Sequence, residues 1–169
     1  ALIGPSGGGK TTVSRLASRF WDADCGTITV GGMDISRIDP ETLMSLYSIV
    51  FQDVTLFNNT VMENIRIGKK DATDEEVIQA AKLAHCDEFI KKLSKGYDTV
   101  IGENGSELSG GERQRISIAR AFLKDAPIIL LDEATDKIRR AKLITVIYLI
   151  RRESDYWMND SLSTSRDAV

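Results

Sequence analysis

Apolar and polar positions in the first sixty residues alternate between short strands and amphipathic helices. Strands are predicted at residues 27–30, ended by Gly31-Gly32, and at residues 48–51. Between them, Asp39-Pro40-Glu41 predicts a helix start, with an acid at the N-cap and proline at the first helical position. An earlier helix is predicted directly after a glycine-rich loop, because four apolar side chains share one helical face. They are Val13, Leu16, Ala17 and Phe20.

The pattern becomes mainly helical from residue 60 to about residue 95. Thr73-Asp74-Glu75-Glu76 has the form of a capping box and opens an apolar stripe at Val77, Ala80, Ala81 and Ala84. A further helix is predicted at residues 112–123, followed by a turn and a continuous apolar strand at residues 128–131. Such a strand is typical of a parallel sheet covered on both faces. The alternation therefore predicts an α/β fold with an inserted helical subdomain.

Composition favours one ordinary globular domain. The chain has 169 residues, of which 42% are hydrophobic and 28% charged. The formal charge of −3 gives no electrostatic reason to expect nucleic acid as a partner. The longest apolar stretch, residues 143–150, is far shorter than the roughly 20 residues of a spanning helix, so none is predicted. Cys25 and Cys86 are expected to be reduced thiols, although the sequence also allows a bridge between them.

A glycine-rich loop near the start has the pattern G-x-x-x-x-G-K-[ST]. Its residues, with the next threonine, are Gly4, Pro5, Ser6, Gly7, Gly8, Gly9, Lys10, Thr11 and Thr12. Glycines let backbone N–H groups converge on phosphate oxygens, Lys10 can reach the β- and γ-phosphates, and the Thr11 hydroxyl can bind Mg²⁺. The alternative is a flexible loop, but the predicted helix that follows favours phosphate binding. Because the apolar run Ala1-Leu2-Ile3 leads straight into this loop, the first strand is expected to be cut.

Two acids, Asp132 and Glu133, follow the predicted buried strand at residues 128–131. In P-loop proteins an acid at the first position holds Mg²⁺, and a second acid can orient or deprotonate a water molecule. Taken alone, the pair could equally be solvated charges at a strand end. Together with the glycine-rich loop it predicts a catalytic site.

Residues 108–115, with the sequence LSGGERQR, form the third pattern. Ser109 and Glu112 have the spacing of a capping box, and a cap is the simplest interpretation. A cap does not explain Gly110 and Gly111, because glycine is unfavourable in a helix. Two glycines there expose backbone N–H groups, which predicts a second phosphate-binding helix end.

The three patterns, in this order, resemble the nucleotide-binding domain of an ABC transporter. The LSGGERQR octet resembles the ABC signature, and residues 130–135, LLDEAT, resemble the Walker B strand end. Residues 51–53 resemble the Q-loop, and residues 102–105 resemble the x-loop of exporters. The resemblance covers residues 1–135. It implies a P-loop NTPase core with a mostly parallel sheet at residues 1–59 and 107–135, truncated at the N-terminus, and a helical subdomain at residues 60–106.

The resemblance also implies an ATPase that powers export, with ATP and Mg²⁺ as cofactors. Two such domains would pair head to tail, and permease domains would hold them at the cytoplasmic face of the membrane. Gln52 would contact Mg²⁺ and the attacking water, Glu133 would act as base, and Thr11 and Asp132 would complete the metal site. Across the interface, the partner's ATP would be contacted by the signature residues Ser109, Gly110, Gly111 and Glu112.

The chain departs from the family pattern after Thr135. Asp136-Lys137-Ile138-Arg139 stands where a D-loop is expected, and the position of the family's γ-phosphate-contacting histidine falls on Asp160 or Arg151 in two alternative alignments. His85, the single histidine, is expected to be a solvated helix residue of the helical subdomain. Residues 136–169 are therefore interpreted as an aberrant tail, with a shifted reading frame or a decayed segment as the hypothesis for residues 136–161.

These departures leave three functions to weigh. The first is the exporter ATPase, and the second is a nucleotide-binding remnant without turnover. The third is a soluble ABC-type ATPase acting on ribosomes or DNA, which the x-loop-like residues 102–105 and the charge of −3 disfavour.

Overall fold

A computed structural model describes residues 7–51 and 53–131, and the backbone of residues 2–4, 145–147 and 149–151. The strands are β1 Leu2–Gly4, β2 Thr29–Val30, β3 Met33–Asp34, β4 Tyr47–Val50, β5 Ile128–Leu131, β6 Thr145–Ile147 and β7 Leu149–Arg151. The α-helices are α1 Lys10–Ala17, α2 Pro40–Ser45, α3 Val61–Arg66, α4 Asp74–Leu83, α5 Asp87–Ile90 and α6 Gly110–Lys124. Short 3-10 turns lie at Ile35–Arg37, Gly96–Asp98 and Glu103–Gly105.

The strand pair β4–β5 is parallel, with Tyr47 opposite Ile128 and Val50 opposite Leu131. The expectation of a mostly parallel sheet is wrong for the rest of the described strands. β7 pairs antiparallel with β5, β6 antiparallel with β1, and β2 antiparallel with β3. A parallel pair requires a crossover connection, and α3 to α6 supply it between β4 and β5. Antiparallel pairs do not require one, so nothing in the connections forces the remaining pairs to be parallel.

Strand β4 is covered by a helix on each face. The Tyr47 hydroxyl donates a hydrogen bond to the carbonyl oxygen of Ala17 in α1 at 3.0 Å. The next residue, Ser48, donates from Oγ to the carbonyl oxygen of Ala121 in α6, also at 3.0 Å. Successive strand side chains point to opposite faces, so α1 and α6 lie on opposite sides of β4. Two-sided burial was predicted for β5, its parallel neighbour, in which Ile129 and Leu130 are buried and Ile128 and Leu131 are half-buried.

Buried side chains form two clusters. The smaller one joins the turn after β3, helix α2 and the strand pair, through Ile35, Leu43, Tyr47 and Leu130. The larger one lies among α3, α4, α5 and α6, and α6 contributes Ile116, Ala119 and Leu123 to it. Because α6 completes this second core, residues 60–106 do not bury their apolar surface alone.

Local sequence chemistry fixes the helix ends. Asp39 caps α2 by accepting from the Thr42 N–H, and Thr73 forms the predicted capping box with Glu76 at the start of α4. His85 lies just beyond the end of α4 with a φ of 55°, so its prediction as a helix residue is wrong. The chain turns there because the Cys86 N–H reaches back to the Ala81 carbonyl at 2.8 Å, a Schellman closure. His85 is exposed, as expected.

The apolar stripe predicted for α1 does not become a buried face. The helix ends at Ala17, before Phe20, and the side chains of Val13 and Phe20 are 48% and 52% exposed. Lys10 and Ser14 are the buried positions of α1 instead. The hydrogen bond from Tyr47 ties the C-terminal end of α1 to β4.

Both cysteines are free thiols, Cys25 exposed and Cys86 buried, which confirms the expectation. Within the described residues no helix combines the length and the apolar character needed to cross a membrane. The predicted aberrant tail at residues 136–169, with its two alternative histidine positions, lies outside the described residues apart from the backbone of β6 and β7.

Candidate nucleotide-binding site

The glycine-rich loop leads directly into helix α1. Gly7 and Gly9 have φ values of 79° and 77°, in the left-handed region that glycine adopts without strain. Gly9 is the N-cap of α1, and no side chain caps this end. The first N–H groups of the helix therefore point into the space before its N-terminus. In other proteins, helix N-termini of this kind bind anions. Gly4 ends β1, whereas Pro5 and Ser6 lie outside the described residues.

The polar side chains at the start of α1 differ in exposure. Lys10 is the first residue of the helix and only 8% exposed, Thr11 is half-buried, and Thr12 is exposed. Gly8 is exposed with Gly7 and Gly9. A lysine at the first turn of a helix adds positive charge to the positive end of the helix dipole. This end of α1 is therefore suited to a polyanion such as a phosphate chain.

The parallel strands bring two further predicted segments to one edge. Val50 and Leu131 are opposite each other at the carboxyl ends of β4 and β5. In α/β sheets ligands bind at this edge. Gln52 follows Val50 by two positions, and Asp132 and Glu133 follow Leu131 directly in the sequence. These three side chains lie outside the described residues, so their roles stay predictions.

Helix α6 begins with the predicted capping box. Ser109 Oγ accepts from the Glu112 N–H at 3.4 Å, and the Glu112 carboxylate accepts from the Ser109 N–H at 2.8 Å and from its hydroxyl at 2.7 Å. Partial burial opposes ionisation of Glu112, but the Ser109 hydrogen bonds and the charges of Arg115 and Lys92 outweigh it and lower its pKa. The acid is thus held as a carboxylate that orders the first turn.

The fold of the chain does not require glycine at position 110. A Cβ built on Gly110 would meet only the Arg113 guanidinium, at 3.9 Å, which is ordinary van der Waals contact. Ser109 and Gly110 are exposed, and Gly111 is half-buried. The open side of this helix end therefore faces outward, where a missing side chain leaves its N–H groups approachable.

Sequence reasoning missed Arg113 as part of this helix end. Its guanidinium donates to the carbonyl oxygen of Leu108 at 2.7 Å and so holds the residue before the cap. The sequence signal that could have identified Arg113 is its position, one turn after the cap residue Ser109.

Gly105, just upstream, has a φ of 63°, and a Cβ there would lie 2.7 Å from Leu56. The x-loop-like residues 102–105 thus pack against the segment that follows Gln52.

A model of the ABC transporter family matches residues 1–136, four-fifths of the chain. The chain belongs to the ABC transporter family. This ABC chain is an ATP-binding domain of the exporter type, in agreement with the prediction from its sequence.

Curated relatives show the same assignment. An ATP-dependent lipid A-core flippase of Legionella pneumophila (strain Lens) is 56% identical over 138 residues, which cover 82% of this chain and 24% of the flippase. The beta-(1-->2)glucan export ATP-binding/permease protein NdvA of Agrobacterium fabrum is 45% identical over 172 residues, covering 99% of this chain and 29% of that protein. The ABC chain thus spans about a quarter of the length of the curated relatives it matches.

A solved structure supports the fold. A bacterial Atm1-family ABC exporter with ATP bound superposes with a TM-score of 0.76 at 48% identity, over 78% of this chain and 23% of the exporter chain. The ABC fold is therefore a mixed α/β P-loop NTPase, as the sequence indicated, although its described sheet pairing is small and mostly antiparallel.

Proposed function

We propose that this chain binds ATP with Mg²⁺ and hydrolyses it to power export through permease domains. Backbone N–H groups of Gly7, Gly8 and Gly9 and the first turn of α1 hold the phosphates. Lys10 neutralises charge on the β- and γ-phosphates. Thr11, Gln52 and Asp132 provide oxygen ligands of the kind that Mg²⁺ prefers. Gln52 positions the attacking water, and Glu133 accepts its proton.

The observation that carries the proposal is the presence of two glycine-opened helix ends, at Gly9 of α1 and at Gly110 of α6. One bound nucleotide needs only one of them. The C-terminal part of α6 is tied to β4 at Ala121. At a rise of about 1.5 Å per residue, Ser109 lies about 18 Å farther along the helix. A helix end held out in this way is suited to contact the ATP of a second domain.

Accordingly, the partner is a second ABC domain in head-to-tail arrangement, so that each ATP lies between one glycine-rich loop and the other domain's signature. Closure on ATP and opening after hydrolysis would move attached permease domains at the cytoplasmic face of the membrane. The relatives named as a flippase and as a glucan export protein support this direction of transport.

A second candidate is nucleotide binding without turnover. His85 is the single histidine of the sequence, and it lies exposed at the end of α4, where it terminates a helix. These 169 residues contain no other histidine that could contact the γ-phosphate. One lost contact of this kind lowers a rate by about 10²–10³ while binding remains.

Calorimetric titration with Mg-ATP, with phosphate release followed in the same samples, separates the two. Lys10→Ala is expected to abolish binding, whereas Lys70→Ala, at an exposed lysine, is the matched control and retains it. Turnover removed by Glu133→Gln but not by Glu88→Gln, at an exposed acid, supports the ATPase. Binding without phosphate release supports the second candidate, and binding unaffected by Lys10→Ala contradicts both.

The division into a core at residues 1–59 and 107–135, a helical subdomain at residues 60–106 and an aberrant tail at residues 136–169 is part of the same proposal. The packing of α6 against α3 and α4 supports treating the helical block and α6 as neighbours that share a core. Reading the encoding DNA in all three frames tests the tail. A frame that restores the D-loop and histidine supports the shifted frame, and the absence of one contradicts it.

A further inference from the structure

Arg120, in the C-terminal half of α6, lies at a junction of three segments. Its Nε donates to the carbonyl oxygen of Asn64 in α3 at 2.6 Å. One terminal nitrogen donates to the carbonyl oxygen of Thr55 at 2.7 Å, and the other donates to Asn64 Oδ1 at 2.9 Å. The guanidinium also lies over the ring of Phe57, 5.9 Å from its centroid. One side chain of the signature helix thus reaches both α3 and the segment that follows Gln52.

Asn64 completes the junction from the other side. It is fully buried, and its amide nitrogen donates to the carbonyl oxygens of Phe57 and Thr60 at 2.9 and 3.0 Å. Its Oδ1 accepts from the Phe57 N–H at 2.9 Å, as well as from Arg120. The segment 55–60 has no strand or α-helix of its own. Its end pairs with residues 99–101 through a bridge from Thr60 to Val100 and a bond from the Ile101 N–H to the Asn59 carbonyl, whereas the bonds of Asn64 and Arg120 hold Thr55 and Phe57.

The backbones of α3 and α6 also meet at this point. A Cβ on Gly68, just after α3, would press against the carbonyl oxygen of Arg120 and lie 3.0 Å from its carbonyl carbon. Burial lowers the pKa of the Arg120 guanidinium to about 10, so the group keeps its charge at neutral pH. A half-buried, charged fork that satisfies three acceptors fixes geometry more strictly than apolar packing does.

We infer that Arg120 is a positioning residue that fastens segment 55–60 to α6, so that the chain following Gln52 and the signature helix move as one body. Its effect on turnover rests on the proposed ATPase function, because Gln52 and Ser109 serve different nucleotides in that scheme. The fastening itself is independent of that function. In the proposed scheme, the fastening connects Gln52, which contacts the chain's own ATP, with Ser109, which contacts the partner's ATP.

Amide hydrogen exchange measured by NMR tests the fastening on the unmodified chain. The Phe57 N–H, bonded only to a side chain, is expected to be protected to a similar degree as the N–H of Asn64 in α3. Arg120→Lys keeps the charge but loses the planar fork, so exchange at Phe57 is expected to rise roughly 10-fold. Arg37→Lys, at a side chain that is 87% exposed, is the matched control and leaves it unchanged.

Turnover measured on the same variants tests the positioning role. In Arg120→Lys we expect kcat to fall roughly 10-fold with the affinity for Mg-ATP within about twofold of the original. Exchange at Phe57 that is fast in the unmodified chain, or unaffected by Arg120→Lys, overturns the fastening. Faster exchange with unchanged kcat overturns the role in turnover. If the unmodified chain releases no phosphate, the proposed ATPase function fails, and the exchange data still decide whether Arg120 fastens the segment.

Discussion

Two glycines of the chain separate what the fold needs from what the proposed site needs. At Gly68 a Cβ would meet the backbone of Arg120, at its carbonyl oxygen and at 3.0–3.1 Å from two carbon atoms. At Gly110 a Cβ would meet only a guanidinium nitrogen at 3.9 Å. The same substitution by alanine is therefore expected to have opposite consequences at the two positions.

Gly68→Ala is expected to destabilise the chain. The clashing atoms belong to helix backbone and cannot rotate away, so α3 and α6 must separate slightly. Overpacking of this kind costs about 1–3 kcal/mol in the free energy of unfolding. For a chain of this size that corresponds to a fall in Tm of roughly 2–12 °C.

Gly110→Ala is expected to leave stability unchanged or to raise it. Alanine is favoured over glycine inside helices by roughly 0.5–1 kcal/mol, and less in the first turn. Turnover is expected to fall about 100-fold, because the added methyl group stands between the helix N–H groups and the partner's γ-phosphate. The affinity of the chain's own glycine-rich loop for ATP is expected to stay the same.

Thermal unfolding followed by circular dichroism, and phosphate release at saturating Mg-ATP, measure both effects on the two variants. A Gly110→Ala variant with full turnover would refute the assignment of this helix end to a nucleotide. A Gly68→Ala variant as stable as the unmodified chain would refute the close approach of α3 to α6.

Two further predictions concern titration and thiol reactivity. Burial raises the pKa of the Cys86 thiol to about 12. Ellman's reagent at pH 8 should therefore modify only the exposed Cys25 in the folded chain, and both thiols in denaturant. Rapid modification of both thiols without denaturant would contradict the burial of Cys86. The pKa of Glu112 is lowered on folding, so its contribution to stability is present above its ordinary pKa and is lost as pH falls through the folded value. Between about pH 5 and pH 3, the free energy of unfolding measured with urea should therefore fall less for the Glu112→Gln variant than for the unmodified chain. An equal fall in both proteins would argue against the capping carboxylate.

Elements whose ends are set by neighbouring residues were predictable from the sequence. The caps at Asp39, Thr73 and Ser109 depend on hydrogen bonds that span three positions, so the sequence pattern contains all of their parts. Strands β4 and β5 were placed to within one residue, because apolar runs bounded by polar residues and turns mark buried strands. The two glycine-opened helix ends follow from the same local logic.

Features that depend on distant partners were not predictable. Arg120 and Asn64 are separated by 56 positions, and nothing near either residue indicates that they share a hydrogen bond. Exposure of Val13 could not be derived from helical periodicity, since the pattern does not say how α1 packs against β4, which lies about 30 positions further along the chain. The antiparallel pairings of β6 with β1 and of β7 with β5 likewise join segments that are distant in the sequence.

Helix α6 has both a locally determined N-terminus and a set of long-range contacts. Its buried face, with Ile116, Ala119 and Leu123, packs on the helical block, and its Ala121 carbonyl is tied to β4. An α-helix transmits orientation along its axis, so anchoring these positions also sets the direction in which Ser109 is presented. Substitutions on the buried face should therefore change how Ser109 contacts a partner's nucleotide, although the substituted residues do not contact that nucleotide themselves. The capping box at Ser109 and Glu112 orders only the first turn of the helix.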